Sequence, residues 1–179
     1  MQHLLLLSLA LLIGGLAGVA FTLPGGLSTT FSQRVAHHKT GEILYSLLFM
    51  SALSILYIFL SSWFVPHNNI PRVFLVFAAV AVSFQIACTW VPERGGWMTV
   101  VHRCLTGISG LALLPAMWVL ATTQGLAAGL RYALWCGLLL MVGLLIIALA
   151  NQKGFKYALL LQVGYYALFF TALLLVTYR

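Results

Sequence analysis

Apolar residues in this chain come in long blocks separated by short polar interruptions. Six blocks, near residues 3–23, 43–65, 73–91, 98–121, 131–150 and 156–178, each approach the ~20 residues that a helix needs to cross a bilayer. Backbone groups in hydrocarbon have no water to bond to, so each block is predicted to be a helix that satisfies its own N–H and C=O groups. Of the connections, only the first, Pro24 to Glu42, is long. Pro24-Gly25-Gly26, Pro66 and Pro92 are predicted to close the first three helices, because proline supplies no amide donor. Pro115, inside the fourth block, is predicted to kink that helix and free a carbonyl near Leu111. The expected fold class is all-α: a polytopic membrane protein, one six-transmembrane-helix bundle over residues 1–179, with no β-sheet.

Composition sharpens this picture. The 179 residues are 63% hydrophobic and 6% charged, against ~25% charged in an ordinary soluble domain, which excludes a soluble fold. Six spans would use up these 179 residues, so no soluble catalytic domain is expected among them. The formal charge of +7 comes from Lys and Arg scattered singly at helix ends, which points to topology and anionic lipid and away from nucleic acid. Cys88, Cys104 and Cys136 are too widely spaced for a metal or redox motif and are expected to be small packing residues. Gly18-Val19-Ala20 resembles a signal-peptide cleavage site. No Lys or Arg precedes the apolar run, however, so Met1 to Leu23 is expected to be a retained span. Gly14 and Gly18 form a GxxxG pair, expected to serve packing within the bundle. Trp63, Trp90, Trp97, Tyr132, Tyr157 and Tyr178 fall near span ends, where aromatic anchors belong.

The odd-numbered connections and their helix ends carry Arg34, Lys39, Arg94, Arg103, Lys153 and Lys156, six of the nine basic residues. Arg72, Arg131 and Arg179 lie on the other side. The positive-inside rule then puts the odd connections in the cytoplasm and both termini outside, as expected for a bacterial inner-membrane protein.

Polar residues inside the spans favour that same side. Glu42 and Tyr45 open the second helix, Gln85 and Thr89 close the third, His102, Arg103 and Thr106 open the fourth, and Gln162 lies early in the sixth. At ~1.5 Å rise per residue all of them fall near one interface, so Glu42, Gln85, Thr89, His102, Arg103 and Gln162 are candidates for a shared polar pocket. The only acids, Glu42 and Glu93, belong to this side, and a pair such as Glu42 with Arg103 would neutralise charge at the boundary. The plainer alternative is helix-end chemistry, with Glu42 complementing a helix N-terminus and Arg103 snorkelling to headgroups. His102, one turn inside its span, should find a partner among Glu42, Gln85, Thr89 and Gln162; structural, proton-carrying and ligand roles remain open for it. His37 and His38 read as solvated interfacial residues, and His67 as a turn residue.

The order of features, with a first span ending in Pro24-Gly25, a long Ser-containing loop, Val91-Pro92 closing the third span and His102 opening the fourth, resembles the six-span DRAM-like superfamily. The nearer likeness is to its bacterial members of unknown function, in which a His often begins the fourth helix and a polar residue stands early in the last, here in Leu161-Gln162-Val163. The first loop departs from the family pattern: Ser32-Gln33-Arg34-Val35 has no acid beside the serine. The resemblance implies a lipid-related or accessory role and no particular reaction.

The leading expectation is therefore a non-catalytic bundle, with no cofactor, that binds membrane lipid or serves as a subunit of a larger membrane assembly or homo-oligomer. An alternative is a b-type haem protein using His38 and His102, since two imidazoles can flank one iron. A metal-dependent intramembrane hydrolase would need three ligands such as His37, His38 and His102 with Glu42 as base, and the chain has neither HExxH nor GxSxG. A small transporter is a further alternative, though no inverted repeat or mid-span acid points to one.

Overall fold

The computed structural model describes residues 1–36, 38–150 and 156–179; His37 and Lys153, named above for their charge and position, lie outside the described residues. All regular structure among these residues is helical. In chain order the helices are α1 (Gln2–Thr22), the short α2 (Phe31–Val35), α3 (Lys39–His67), α4 (Val73–Thr89), α5 (Gly96–Thr122), α6 (Ala128–Ala150) and α7 (Ala158–Thr177). Five of them, α1, α3, α5, α6 and α7, are long and apolar enough to cross a membrane, and α4 is a shorter apolar helix of 17 residues. The chain is a multi-pass helical membrane protein.

Helix ends follow the proline and glycine punctuation with one exception. α1 stops at Leu23, whose extended backbone leads into Pro24. The tight link from α4 to α5 requires Gly95 and Gly96, at φ +99° and +57°, in a region that side-chain-bearing residues rarely enter. Pro66, by contrast, does not end the second span. A π-helical turn at Leu60–Phe64 precedes it, and α3 runs on to His67. Pro66 lacks an amide and its ring crowds the carbonyl four residues back, and a wider turn relieves that crowding. His67, expected in a turn, instead ends α3 with its ring stacked 4.4 Å from Trp63. α5 continues through Pro115 without a break.

Neighbouring helices are stitched by side-chain hydroxyls that donate to carbonyls across the interface. Ser8 reaches Ala52 O (2.8 Å) from α1 to α3, Ser46 reaches Thr89 O (2.7 Å) from α3 to α4, and Ser109 reaches Ala81 O (2.9 Å) from α5 to α4. Tyr165 on α7 donates to Gly110 O at 2.6 Å on α5. Each such bond inside a membrane contributes roughly 0.6 kcal/mol. The α5–α6 contact is apolar, with Trp118 and Trp135 edge to face at 4.8 Å. Gln2 donates to Thr177 O at 3.1 Å, which brings both termini to the end of the bundle opposite the long connection.

Two packing expectations are corrected. Gly14 and Gly18 have nothing within 4 Å of where a Cβ would stand, so the GxxxG pair faces outward; the close contact is made by Gly15, which sits against Leu48 of α3. Only Cys88 packs inside, whereas Cys104 and Cys136 are exposed on the outer surface.

Candidate functional site

The long first connection folds back onto the bundle. Thr30 and Gln33 form a capping box that starts α2: the Gln33 amide N–H donates to Thr30 Oγ1 at 3.4 Å, and the Thr30 amide N–H to Gln33 Oε1 at 3.0 Å. Phe31 and Val35 of α2 are buried in the apolar core, so this single turn plugs one end of the bundle. Arg34 is buried with them, 7% exposed. Its guanidinium donates to Ala20 O (3.1 Å), Gly26 O (2.9 Å) and Thr29 O (3.5 Å), and so caps a free carbonyl in the last turn of α1. Gly25 is needed beside it, because a Cβ there would lie 2.9 Å from Arg34 Nε.

The plug is held from the α4–α5 connection by Glu93, whose side chain is 6% exposed. One carboxylate oxygen accepts from Gln33 Nε2 (3.1 Å) and Arg103 Nε (3.2 Å), the other from Ser32 (3.2 Å) and Thr30 (3.4 Å). A buried carboxylate is tolerated only when its lone pairs are filled in this way. A second ion pair joins Glu42, at the start of α3, to Arg94, which also donates to Ala36 O at 2.6 Å. Both acids of the chain are thus paired with arginines, and Arg34 has no carboxylate partner among the described residues.

Between the plug and the α1 end lies an open cleft of about 520 Å³, lined by Pro24, Gly25, Thr29, Gln33, Arg34, His38 and Glu93. A second, apolar crevice of about 40 Å³ lies deeper, between α3, α4, α5 and α7.

None of the six residues expected to share a polar pocket lines the cleft. The ion pairs are also rearranged: Glu42 pairs with Arg94, and Arg103 takes Glu93. Arg94 lies in the α4–α5 connection itself, whereas Arg103 stands in the second turn of α5. His102 is buried, and its Nδ1 lies 2.7 Å from Val91 O, so its partner is a backbone carbonyl just past the end of α4; it has no hydrogen bond to Glu42, Gln85, Thr89 or Gln162. Gln85 is buried and accepts from Tyr166 OH at 2.7 Å on the wall of the apolar crevice. Thr89 turns its hydroxyl to Ile86 O within its own helix. One oxygen each of Glu42 and Gln162 is buried without a partner. Of the alternative haem pair, His38 lines the cleft and His102 does not. No group of three His, Cys, Asp or Glu residues suited to a metal occurs among the described residues.

The residues that do converge, Gln33, Arg34 and Glu93, were not singled out as site candidates in the sequence. The Thr30-x-x-Gln33 capping box was the available sign that the long loop contains a helix. Chemically the cleft brings together the Arg34 guanidinium, the His38 imidazole, the Thr29 hydroxyl and the Glu93 carboxylate. Compared with protein-family models, with curated proteins and with solved structures, the chain matches none.

Proposed function

We propose that the chain is a six-crossing, non-catalytic membrane protein whose long-loop end lies at the cytoplasmic face and binds anionic lipid. The observation that carries this reading is the charge balance of that end. Glu42 and Glu93 are already paired with Arg94 and Arg103, which leaves Arg34, Lys39 and Lys156 without a carboxylate among the described residues. Basic residues at a membrane boundary are attracted to anionic headgroups by about 1 kcal/mol each. Helix α4, at 17 residues, is at the lower limit of a crossing, and the Gln2–Thr177 contact, which puts both termini at one end of the bundle, supports counting it as a span.

The reading is tested by reconstituting the purified protein in nanodiscs with phosphatidylglycerol and phosphatidylcholine in known ratio and quantifying the lipids that remain bound after mild detergent extraction. Enrichment of phosphatidylglycerol that weakens with added salt is expected. Retention in proportion to the bulk mixture, or stoichiometric co-purification of a protein partner covering the loop end, would replace lipid binding with an accessory role.

A further inference from the structure

We infer that the cleft between the Pro24-Gly25 turn and the α2 plug is a discrete site for one phosphate group, with Arg34, His38 and Thr29 as its donors. This rests on the lipid reading above for its preferred source, the headgroup of an anionic phospholipid, but it is a claim about one stoichiometric site and not about a diffuse surface.

Arg34 is unusual in this chain because it is buried, charged and turned to an open cleft. Three carbonyls take three of its five N–H groups. Carbonyl dipoles stabilise a guanidinium without neutralising it, and a second ligand with negative charge completes the balance. Two further donors border the same space: His38, an exposed residue at the start of α3, and Thr29, neither of which has a side-chain hydrogen bond among the described residues. Glu93 is the one anion on the cleft wall. Both its oxygens are filled by Thr30, Ser32, Gln33 and Arg103, so it does not compete for the ligand's donors. Arginine favours phosphate oxygens because its planar fork offers parallel N–H bonds. The cleft, at about 520 Å³, has room for a phosphate ester with a small alcohol attached.

The experiment is native mass spectrometry of the full chain in detergent, titrated with dioleoyl phosphatidylglycerol, with dioleoyl phosphatidylcholine, and separately with inorganic phosphate. Binding of one phosphatidylglycerol is expected, at least about tenfold tighter than phosphatidylcholine, with the preference abolished in Arg34→Gln. Because Arg34 also braces the loop, His38→Leu and Thr29→Val serve as variants that leave those carbonyl contacts intact; each should weaken the first lipid by roughly three- to tenfold. If inorganic phosphate binds with the same sensitivity to all three variants while lipid does not, the site stands with a soluble phosphate as its ligand and the lipid reading fails. If phosphatidylglycerol is preferred but all three variants retain that preference, the surface reading stands and the discrete site is overturned. No one-to-one complex with either probe overturns it as well.

Discussion

Glu93 and Arg103, on the α4–α5 connection and the second turn of α5, meet carboxylate to guanidinium at 3.2 Å, yet they differ sharply in exposure, at 6% and 61% of the side chain. The exposed arginine adds little by Coulomb attraction alone, because such pairs are screened by solvent. What Glu93 contributes is the role of a buried acceptor, holding three side chains of the Thr30–Gln33 segment. It is the clamp that keeps the long connection closed over the bundle end.

Replacing Glu93 by Ala strands those donors and should lower stability by on the order of 2 kcal/mol. Thermal unfolding in detergent measures the loss, and limited proteolysis should find a new cleavage in residues 24–36. Arg103→Ala, which removes only the exposed partner, should cost less than half as much. Equal losses in the two variants would mean that the ion pair, and not the hydroxyl and amide donors, holds the plug.

His102→Ala removes the ring that binds the Val91 carbonyl at 2.7 Å. A buried acceptor left empty costs ~1–3 kcal/mol, so the variant should insert normally and unfold at a lower temperature. Phosphate or lipid binding by its folded fraction should be unchanged, because His102 does not line the cleft. A loss of binding at full stability would make His102 part of the site.

The glycines of α1 should separate cleanly. Gly15→Ala places a Cβ 2.0 Å from Leu48 Cδ2, so this half-buried leucine must swing aside, and the variant should be less stable than Gly14→Ala and Gly18→Ala by about 1 kcal/mol. Gly14→Ala and Gly18→Ala meet nothing within 4 Å and should be neutral or stabilise by up to about 1 kcal/mol through helix propensity. Thermal shifts of the three variants decide the matter. Destabilisation at Gly14 or Gly18 would mean that another helix lies against that face.

The number of crossings is open to a labelling test. In a background where Cys88, Cys104 and Cys136 are replaced by Ala, Arg72→Cys and Trp97→Cys bracket α4, both at exposed positions. A membrane-impermeant maleimide applied to intact cells should label residue 72 and spare residue 97. Labelling of both from one side would overturn the six-crossing count and the placement of both termini on one side that goes with it.

Much of this protein was set by its sequence alone. Continuous apolar blocks in a chain with 6% charge can satisfy their backbone in lipid only as helices, so the all-helical membrane fold and the approximate element ends, from Val73 to Thr89 for example, follow from local chemistry. The capping box at Thr30 and Gln33 was equally local and could be read in advance. Tertiary structure alone decided the partners. Glu42 had several arginines within reach along the chain, and the choice of Arg94 over Arg103 depends on how α3, α4 and α5 are rotated about their axes. The same rotations turn Gly15 inward and Gly14 outward, and they give His102 a backbone carbonyl instead of a side chain. Helices that are apolar all round carry no stripe in their sequence to fix that rotation. It is fixed by close packing and a few interhelical hydroxyl bonds, such as Ser46 to Thr89 O, that exist only once the bundle is assembled.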